Sequence, residues 1–253
     1  MATRVQSDPR AALHTSDPLA APRDRLIVAL DVPGAGEAKE LIDRLENRCR
    51  WFKVGLELFI AAGPKIVEML TSRGYSVFLD LKLHDIPNTV AGAVRSAAAL
   101  GARMLTVHAS GGPAMLAAAR NALEGISDPP DLLAVTVLTS MDAEQTRATG
   151  LDRSPADQVA LLARMGLTAG IRGFVCSPQE VAALRALTGP AGVLVIPGIR
   201  PADAAAGDQK RTATPAEALK HGASYLVVGR PITQASDPAR AADSILREMS
   251  SAL

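Results

Sequence analysis

The sequence is poor in aromatic residues and carries almost no net charge. Of its 253 residues, 3% are Phe, Trp or Tyr, and 27 Lys and Arg stand against 26 Asp and Glu, which gives a formal net charge of +1. Proteins that bind nucleic acids usually need a basic surface and aromatic side chains on which bases stack. The scarcity of both argues against a nucleic-acid partner and favours a small-molecule ligand.

Cysteine is also scarce, and long apolar runs are missing. Cys49 and Cys176 form no C-x-x-C pair and stand in no Cys/His cluster with metal-ligand spacing, which points to a reducing compartment and argues against structural zinc. Residues 1–25 lack the apolar stretch of a signal peptide, and no segment approaches the roughly 18 apolar residues of a membrane span. We therefore expect a cytoplasmic protein with no membrane partner and with a flexible N-terminal tail over residues 1–25.

Short apolar segments rich in β-branched residues alternate with stretches of helical composition. Ser177 and Thr214 mark two helix starts, because each is followed by Pro and then by Glu three residues after the cap. Eight strand–helix units in about 230 residues predict a parallel α/β architecture, a single closed (β/α)8 TIM barrel over residues 26–253. The predicted strands are Leu26–Asp31, Trp51–Leu56, Val77–Lys82, Met104–Ala109, Leu132–Thr139, Gly173–Ser177, Val193–Gly198 and Tyr225–Gly229.

Charged and polar residues collect in or just after these strands. In a (β/α)8 barrel the active site lies at the C-terminal ends of the strands, and phosphate is often held after strands 7 and 8. A random scatter of ion pairs would not gather at one rim, so the pattern favours an active site. In strand order, the residues are Asp31, Lys53, Asp80, Lys82, Thr139, Ser140, Pro197, Arg200, Gly229 and Arg230.

The most informative stretch places three charged groups at the exit of the third strand. Residues two apart in a strand share a face, so we expect Asp80 and Lys82 side by side, with Asp85 just beyond. Ile86-Pro87 ends the strand there, and Asn88 can cap the following helix. Two carboxylates would then flank one ammonium, an arrangement that can be a structural ion pair or a catalytic array.

Other polar features have simpler interpretations. We interpret His84 as a strand-end residue and His108 as a core histidine, and we expect Lys210-Arg211 to be a solvated pair. The segment Pro201–Thr214 is long for a loop in a compact domain, and such loops tend to be functional. We interpret it as a lid over the active site.

Six short blocks contain most of these residues. They are Val28–Asp31, Phe52–Gly55, Asp80–Thr89, Val135–Ser140, Pro197–Arg200 with Gly207–Gln209, and Val228–Pro231. Taken in order, the blocks resemble the orotidine 5′-phosphate decarboxylase family. The resemblance runs from about Leu26 to Asp237, with no departure at the positions of the blocks.

The resemblance implies cofactor-independent and metal-independent conversion of orotidine 5′-monophosphate (OMP) to UMP and CO2, the last step of de novo UMP synthesis. It implies a homodimer with active sites at the subunit interface. It also implies a catalytic array of Lys53, Asp80 and Lys82, completed by Asp85 of the partner subunit, with Lys82 as the proton donor. The substrate-binding residues that it implies are Asp31, Lys53, Asp80, Asp85, Ile86, Thr89, Thr139, Ser140, Pro197, Arg200, Gln209, Gly229 and Arg230.

Three alternatives remain at this point. A magnesium-dependent sugar-phosphate decarboxylase or aldolase of the same barrel type also carries D-x-K-x-x-D, but it has an acidic metal ligand where this chain has Lys53. A Schiff-base aldolase would need a desolvated lysine of lowered pKa, whereas flanking carboxylates raise the pKa of a lysine. A non-catalytic sensor of phosphate ligands would not need the complete Asp-Lys-Asp array.

Overall fold

Eight parallel strands close into a barrel in the computed structural model, which describes residues 21–201 and 211–253. Each strand pairs with the next along the chain, and β8 pairs with β1. The predicted (β/α)8 barrel is therefore confirmed. The strands are β1 Leu26–Ala29, β2 Trp51–Gly55, β3 Ser76–Leu83, β4 Met104–His108, β5 Asp131–Val135, β6 Gly173–Val175, β7 Val193–Ile196 and β8 Tyr225–Val228.

Helices cover the outside of the barrel. They are α1 Pro22–Arg25, α2 Ala35–Leu45, α3 Leu56–Ala62, α4 Lys65–Ser72, α5 Pro87–Ala99, α6 Gly112–Asn121, α7 Ala143–Ala148, α8 Pro155–Thr168, α9 Val181–Thr188, α10 Pro215–Lys220, α11 Arg230–Thr233 and α12 Pro238–Ser250. Helix α1 belongs to the segment expected to be a tail, and the Arg25 guanidinium donates to the carbonyl of Ser224 at 2.9 Å. Residues 1–20 of that segment lie outside the described residues. None of the helices in the described part of the chain combines the length and the apolarity needed to cross a membrane.

Side-chain caps start several of these helices. Thr214 and Glu217 form a complete capping box at α10, and Ser177 and Glu180 form one at the short 3₁₀ turn before α9. The expectation that Asn88 caps α5 is wrong. Ile86 occupies the cap position without a side-chain hydrogen bond, and Pro87 starts the helix, because its fixed φ and missing N–H suit the first helical position.

The barrel interior changes from apolar to charged along β2 and β3. An inner cluster that includes Ile27, Phe78 and Val227 fills the barrel, while a larger cluster lies between the sheet and the helices. Side chains two apart share a face, so the inward row of β3 passes from Phe78 to Asp80. In the same way the inward row of β2 passes from Trp51 to Lys53. The apolar interior therefore forms a floor beneath the charged rim.

Candidate active site

Four charged side chains form a continuous row at the C-terminal rim. Lys53 Nζ lies 2.7 Å from Asp31 Oδ1 and 3.7 Å from Asp80 Oδ2, and Lys82 Nζ lies 2.8 Å from the same Asp80 oxygen. The residue Asp80 is only 7% exposed, whereas 31% of the Lys82 side chain is exposed. Negative and positive groups therefore alternate along the row, with a buried carboxylate between the two ammonium groups.

Thr106, at the centre of β4, forms hydrogen bonds to both Asp80 and Lys82 of this row. Its hydroxyl donates to Asp80 Oδ1 at 3.0 Å and accepts a hydrogen bond from the backbone N–H of Lys82 at 2.8 Å. Thr106 is fully buried. One hydroxyl thus fixes both the carboxylate and the backbone from which the neighbouring ammonium extends.

The backbone of β3 is irregular at Lys82. Between the pairs Leu79–Leu105 and Leu83–Val107, β3 advances four residues while β4 advances two, and Lys82 takes a left-handed conformation with φ of 50°. Non-glycine residues rarely adopt this conformation, and bulges near active sites re-aim side chains. The expected contact between Asp80 and Lys82 is present, but it is made from a bulge rather than from a regular strand.

Gly55 gives the row the space that it needs. A Cβ atom at this position would lie 2.7 Å from Lys53 Nζ and 3.3 Å from Asp31 Oδ1. Any larger residue would therefore displace the ammonium from its place between the two carboxylates.

A cavity of about 570 Å³ opens above the row. This volume is within the range of roughly 300–1,000 Å³ that is usual for small-molecule sites. Ten of the predicted site residues line it, namely Asp31, Lys53, Asp80, Lys82, Thr139, Ser140, Pro197, Arg200, Gly229 and Arg230. The cavity thus joins the charged row to the loops that follow β5, β7 and β8.

The other predicted residues lie elsewhere. Asp85 and Ile86 line a separate shallow hollow with His84, Pro87, Ser110 and Gly111. Thr89 is exposed near the start of α5. Gln209 and most of the predicted lid, residues 202–210, lie outside the described residues. Within one subunit, Asp85 therefore faces a different hollow from the one lined by Asp80 and Lys82.

Arg211 is not the solvated residue that the sequence suggested. Only 8% of its side chain is exposed, and its guanidinium pairs with the Glu180 carboxylate, which is 7% exposed. The same guanidinium donates to the carbonyl of Leu138 at 2.8 Å. The interpretation was wrong because adjacent basic residues after a loop are usually solvated, and the burial depends on contacts that are remote in sequence. Lys210 lies outside the described residues.

The two histidines beside the row contact each other, with ring centroids of His84 and His108 5.4 Å apart. Burial lowers the pKa of His108, and the nearby His84 and Lys82 lower it further, against a smaller opposing effect of Asp80. Among the described residues, no three His, Cys, Asp or Glu side chains form a group that could hold a metal ion.

Comparison with known proteins identifies the family and the relatives of this chain. The model of the family described as orotidine 5′-phosphate decarboxylase / HUMPS matches residues 24–245. The chain is 52% identical over 233 residues to the orotidine 5′-phosphate decarboxylase of Moorella thermoacetica, covering 90% of this chain and 92% of the relative. It is 56% identical over 227 residues to that of Alkalilimnicola ehrlichii, covering 89% and 96%. Among solved structures, the orotidine 5′-phosphate decarboxylase of Lactobacillus acidophilus superposes with a TM-score of 0.78 at 40% identity, covering 89% of this chain and 99% of that one.

Proposed function

The chain belongs to the orotidine 5′-phosphate decarboxylase / HUMPS family, and from this premise we propose how its residues convert OMP to UMP and CO2. The reaction itself follows from 52% and 56% identity to decarboxylases over 92% and 96% of their lengths. The observation that carries the residue assignment is the alternating row of Asp31, Lys53, Asp80 and Lys82 at the floor of the cavity.

Loss of CO2 from C6 of the pyrimidine leaves an electron pair in the plane of the ring. The π-system of the ring cannot delocalise this pair, so stabilisation has to be electrostatic. A preorganised charge in a site that excludes water is often the largest single contribution that a protein can make. A fixed ammonium next to C6 meets this need.

Lys82 is the proposed ammonium and proton donor. Lys82 lines the cavity, and its Nζ is held by the buried Asp80 carboxylate. Thr106 and the bulge of β3 fix its backbone. Positioning of this kind removes the need to reorganise the site during the reaction. After CO2 leaves, Lys82 delivers a proton to C6, which gives UMP.

Asp80 orients Lys82 and also destabilises the bound substrate by repelling its carboxylate. Its second oxygen accepts from Thr106, so the carboxylate cannot easily turn away from the cavity. A substrate carboxylate placed beside it would be repelled before the reaction and relieved when CO2 departs. Asp31 and Lys53, joined at 2.7 Å, are the proposed partners of the ribose hydroxyls.

The remaining cavity residues are assigned to the two ends of the nucleotide. Arg200, Gly229, Arg230 and Pro197 form the proposed phosphate end, because guanidinium groups bind phosphate through paired N–H donors. The family resemblance adds Gln209, which lies outside the described residues. Gly198, which also lines the cavity, has φ of 76° and turns the chain after β7. Thr139 and Ser140 form the proposed pyrimidine end. Phosphate binding energy can then be used at the reacting carbon.

A homodimer supplies the last charge of the array. Asp85, Ile86 and Thr89 lie outside the cavity of their own subunit, and Ile60 and Ile86 are 81% and 67% exposed. Burial of the two isoleucine side chains against a second copy would remove apolar surface from water. The same contact would bring Asp85 of the partner subunit to Lys82. We place the enzyme in the cytoplasm, with no metal, organic cofactor or nucleic-acid partner.

The decisive test is CO2 release from OMP by the purified protein, with formation of an equal amount of UMP. The Lys82→Ala variant serves as a control for contaminating activity. If the wild-type protein released no CO2, or released it as fast as this variant, the proposed function would be overturned.

A further inference from the structure

Arg211 lies where three loops of the barrel rim meet. Its guanidinium pairs with Glu180, which follows β6, and donates to the carbonyls of Leu138 at 2.8 Å and Val137 at 3.4 Å, which follow β5. Arg211 itself belongs to the connection between β7 and α10. A side chain that was expected to be solvated therefore links three successive strand ends.

Glu180 is held rigidly at one end of this link. One carboxylate oxygen pairs with Arg211, and the other accepts from the backbone N–H and the hydroxyl of Ser177. A buried pair that is further hydrogen-bonded in this way has a well-defined geometry. The guanidinium is thus fixed with respect to the barrel wall.

The other end of the link is a tight turn. The Leu138 carbonyl that accepts from Arg211 also accepts from the backbone N–H of Met141 at 2.9 Å. This bond spans four residues and closes a β-turn, with Thr139 and Ser140 at the two central positions. Both of these residues line the cavity. The hydrogen bond from Arg211 therefore holds the base of the turn that presents them.

We infer that Arg211 is a positioning residue for pyrimidine recognition, acting through the Leu138–Met141 turn rather than by touching the substrate. This inference rests on the proposed function, in which Thr139 and Ser140 face the pyrimidine. Guanidinium is suited to the role because its planar fork reaches the carboxylate and the carbonyls at once. An ammonium group is a single point charge and cannot span both.

The test compares two ligands that differ in the base. UMP carries ribose, phosphate and pyrimidine, whereas ribose 5-phosphate lacks the pyrimidine. Arg211→Lys keeps a positive charge beside Glu180 but loses the fork. We expect the Kd for UMP, measured by calorimetry, to rise about tenfold, the size of one to two hydrogen bonds, while the Kd for ribose 5-phosphate changes less than about twofold.

The matched control is Arg185→Lys. The Arg185 guanidinium also binds backbone carbonyls, those of Gly189 and Gly192 at 2.7 Å each, but it holds the loops before β7 and β8 at the opposite end of the barrel. This control should lower the melting temperature and leave the ratio of the two Kd values unchanged. Equal weakening of both ligands in Arg211→Lys, or of neither, would overturn the inference.

A second variant covers the case in which Arg211→Lys does not fold. The double substitution Arg211→Met with Glu180→Gln removes both charges, so neither is left buried alone, and it should show the same selective loss of UMP affinity. The outcome is separable from that of the proposed function, since that function is decided by CO2 release from OMP by the wild-type protein relative to Lys82→Ala and not by ligand affinities of the Arg211 variants.

Discussion

The Lys82 ammonium lies 2.8 Å from the Asp80 carboxylate and reaches it from a backbone with φ of 50°. The left-handed conformation is unfavourable for any residue with a Cβ atom, at a cost of roughly 1–2 kcal/mol. The site therefore stores strain at the residue that we propose as the proton donor. Strain of this kind persists where the surrounding structure enforces it, and here Thr106 binds the Lys82 backbone N–H.

The first prediction follows from this strain. Lys82→Ala and Lys82→Gly should both be inactive, because each lacks the ammonium. The glycine variant should nevertheless be the more stable of the two, by about 1 kcal/mol, since glycine adopts positive φ without a steric cost. Urea unfolding of the two proteins measures the difference. An alanine variant at least as stable as the glycine variant would show that the Lys82 backbone is not strained.

The second prediction concerns the partner subunit. Lys82→Ala and Asp85→Asn homodimers should each be nearly inactive. If Asp85 acts across the interface, a mixed dimer has one site with both defects and one with none. Random exchange makes about half of the dimers mixed, so roughly a quarter of wild-type activity should return on co-expression. No recovery, with mixed dimers verified by mass spectrometry, would place Asp85 in the site of its own chain.

The third prediction tests the phosphate end. Arg230→Ala should lower kcat as well as raise KM, because the proposed phosphate contacts supply energy that is used at the reacting carbon. Phosphite added to the wild-type protein should accelerate decarboxylation of orotidine, the substrate without its phosphate. The assay is CO2 release. A variant in which only KM changed would make the phosphate site a simple anchor.

The fourth prediction concerns metals. Lys53 stands between Asp31 and Asp80, and its ammonium would repel a divalent cation from these carboxylates. Activity should therefore be unchanged after exhaustive dialysis against EDTA. Loss of activity that magnesium restores would instead favour the metal-dependent branch of sugar-phosphate decarboxylases.

The fifth prediction uses the lowered pKa of His108. In the unfolded chain His108 takes up a proton near pH 6.5, but in the folded protein it does so only at lower pH. The unfolded state then binds more protons below about pH 6.5, so the free energy of unfolding falls as the pH decreases through this range. Urea unfolding at pH 8.0 and pH 5.5 should show a smaller decrease for His108→Gln than for the wild-type protein. An equal decrease would mean that His108 titrates alike in both states.

The barrel could be predicted because each strand is a short apolar run bounded by turn residues or caps. Helix α3 carries no such signal in the sequence, since it begins directly after Gly55, at the end of β2, with no side-chain cap. Helix α7 has a readable start signal, because Asp142 and Gln145 form a capping box, but its six residues are too few to show a helical apolar period.

The site residues were found where a charged side chain interrupts an apolar strand, as Lys53 and Asp80 do. Thr106 could not be found in this way, because a threonine in a β-strand is explained by its propensity alone. The bulge at Lys82 depends on the pairing of β3 with β4. The burial of Arg211 depends on its contacts with the loop after β5. Neither can be read from the residues beside them.

The alternation of charge in the row limits the distance over which the row acts on the substrate. Within one subunit two carboxylates and two ammonium groups cancel, so the row exerts little long-range pull on an anion and must act on the substrate at short range. Ionic strength should therefore have little effect on the chemical step, because the contacts that act on C6 are too short for salt to screen.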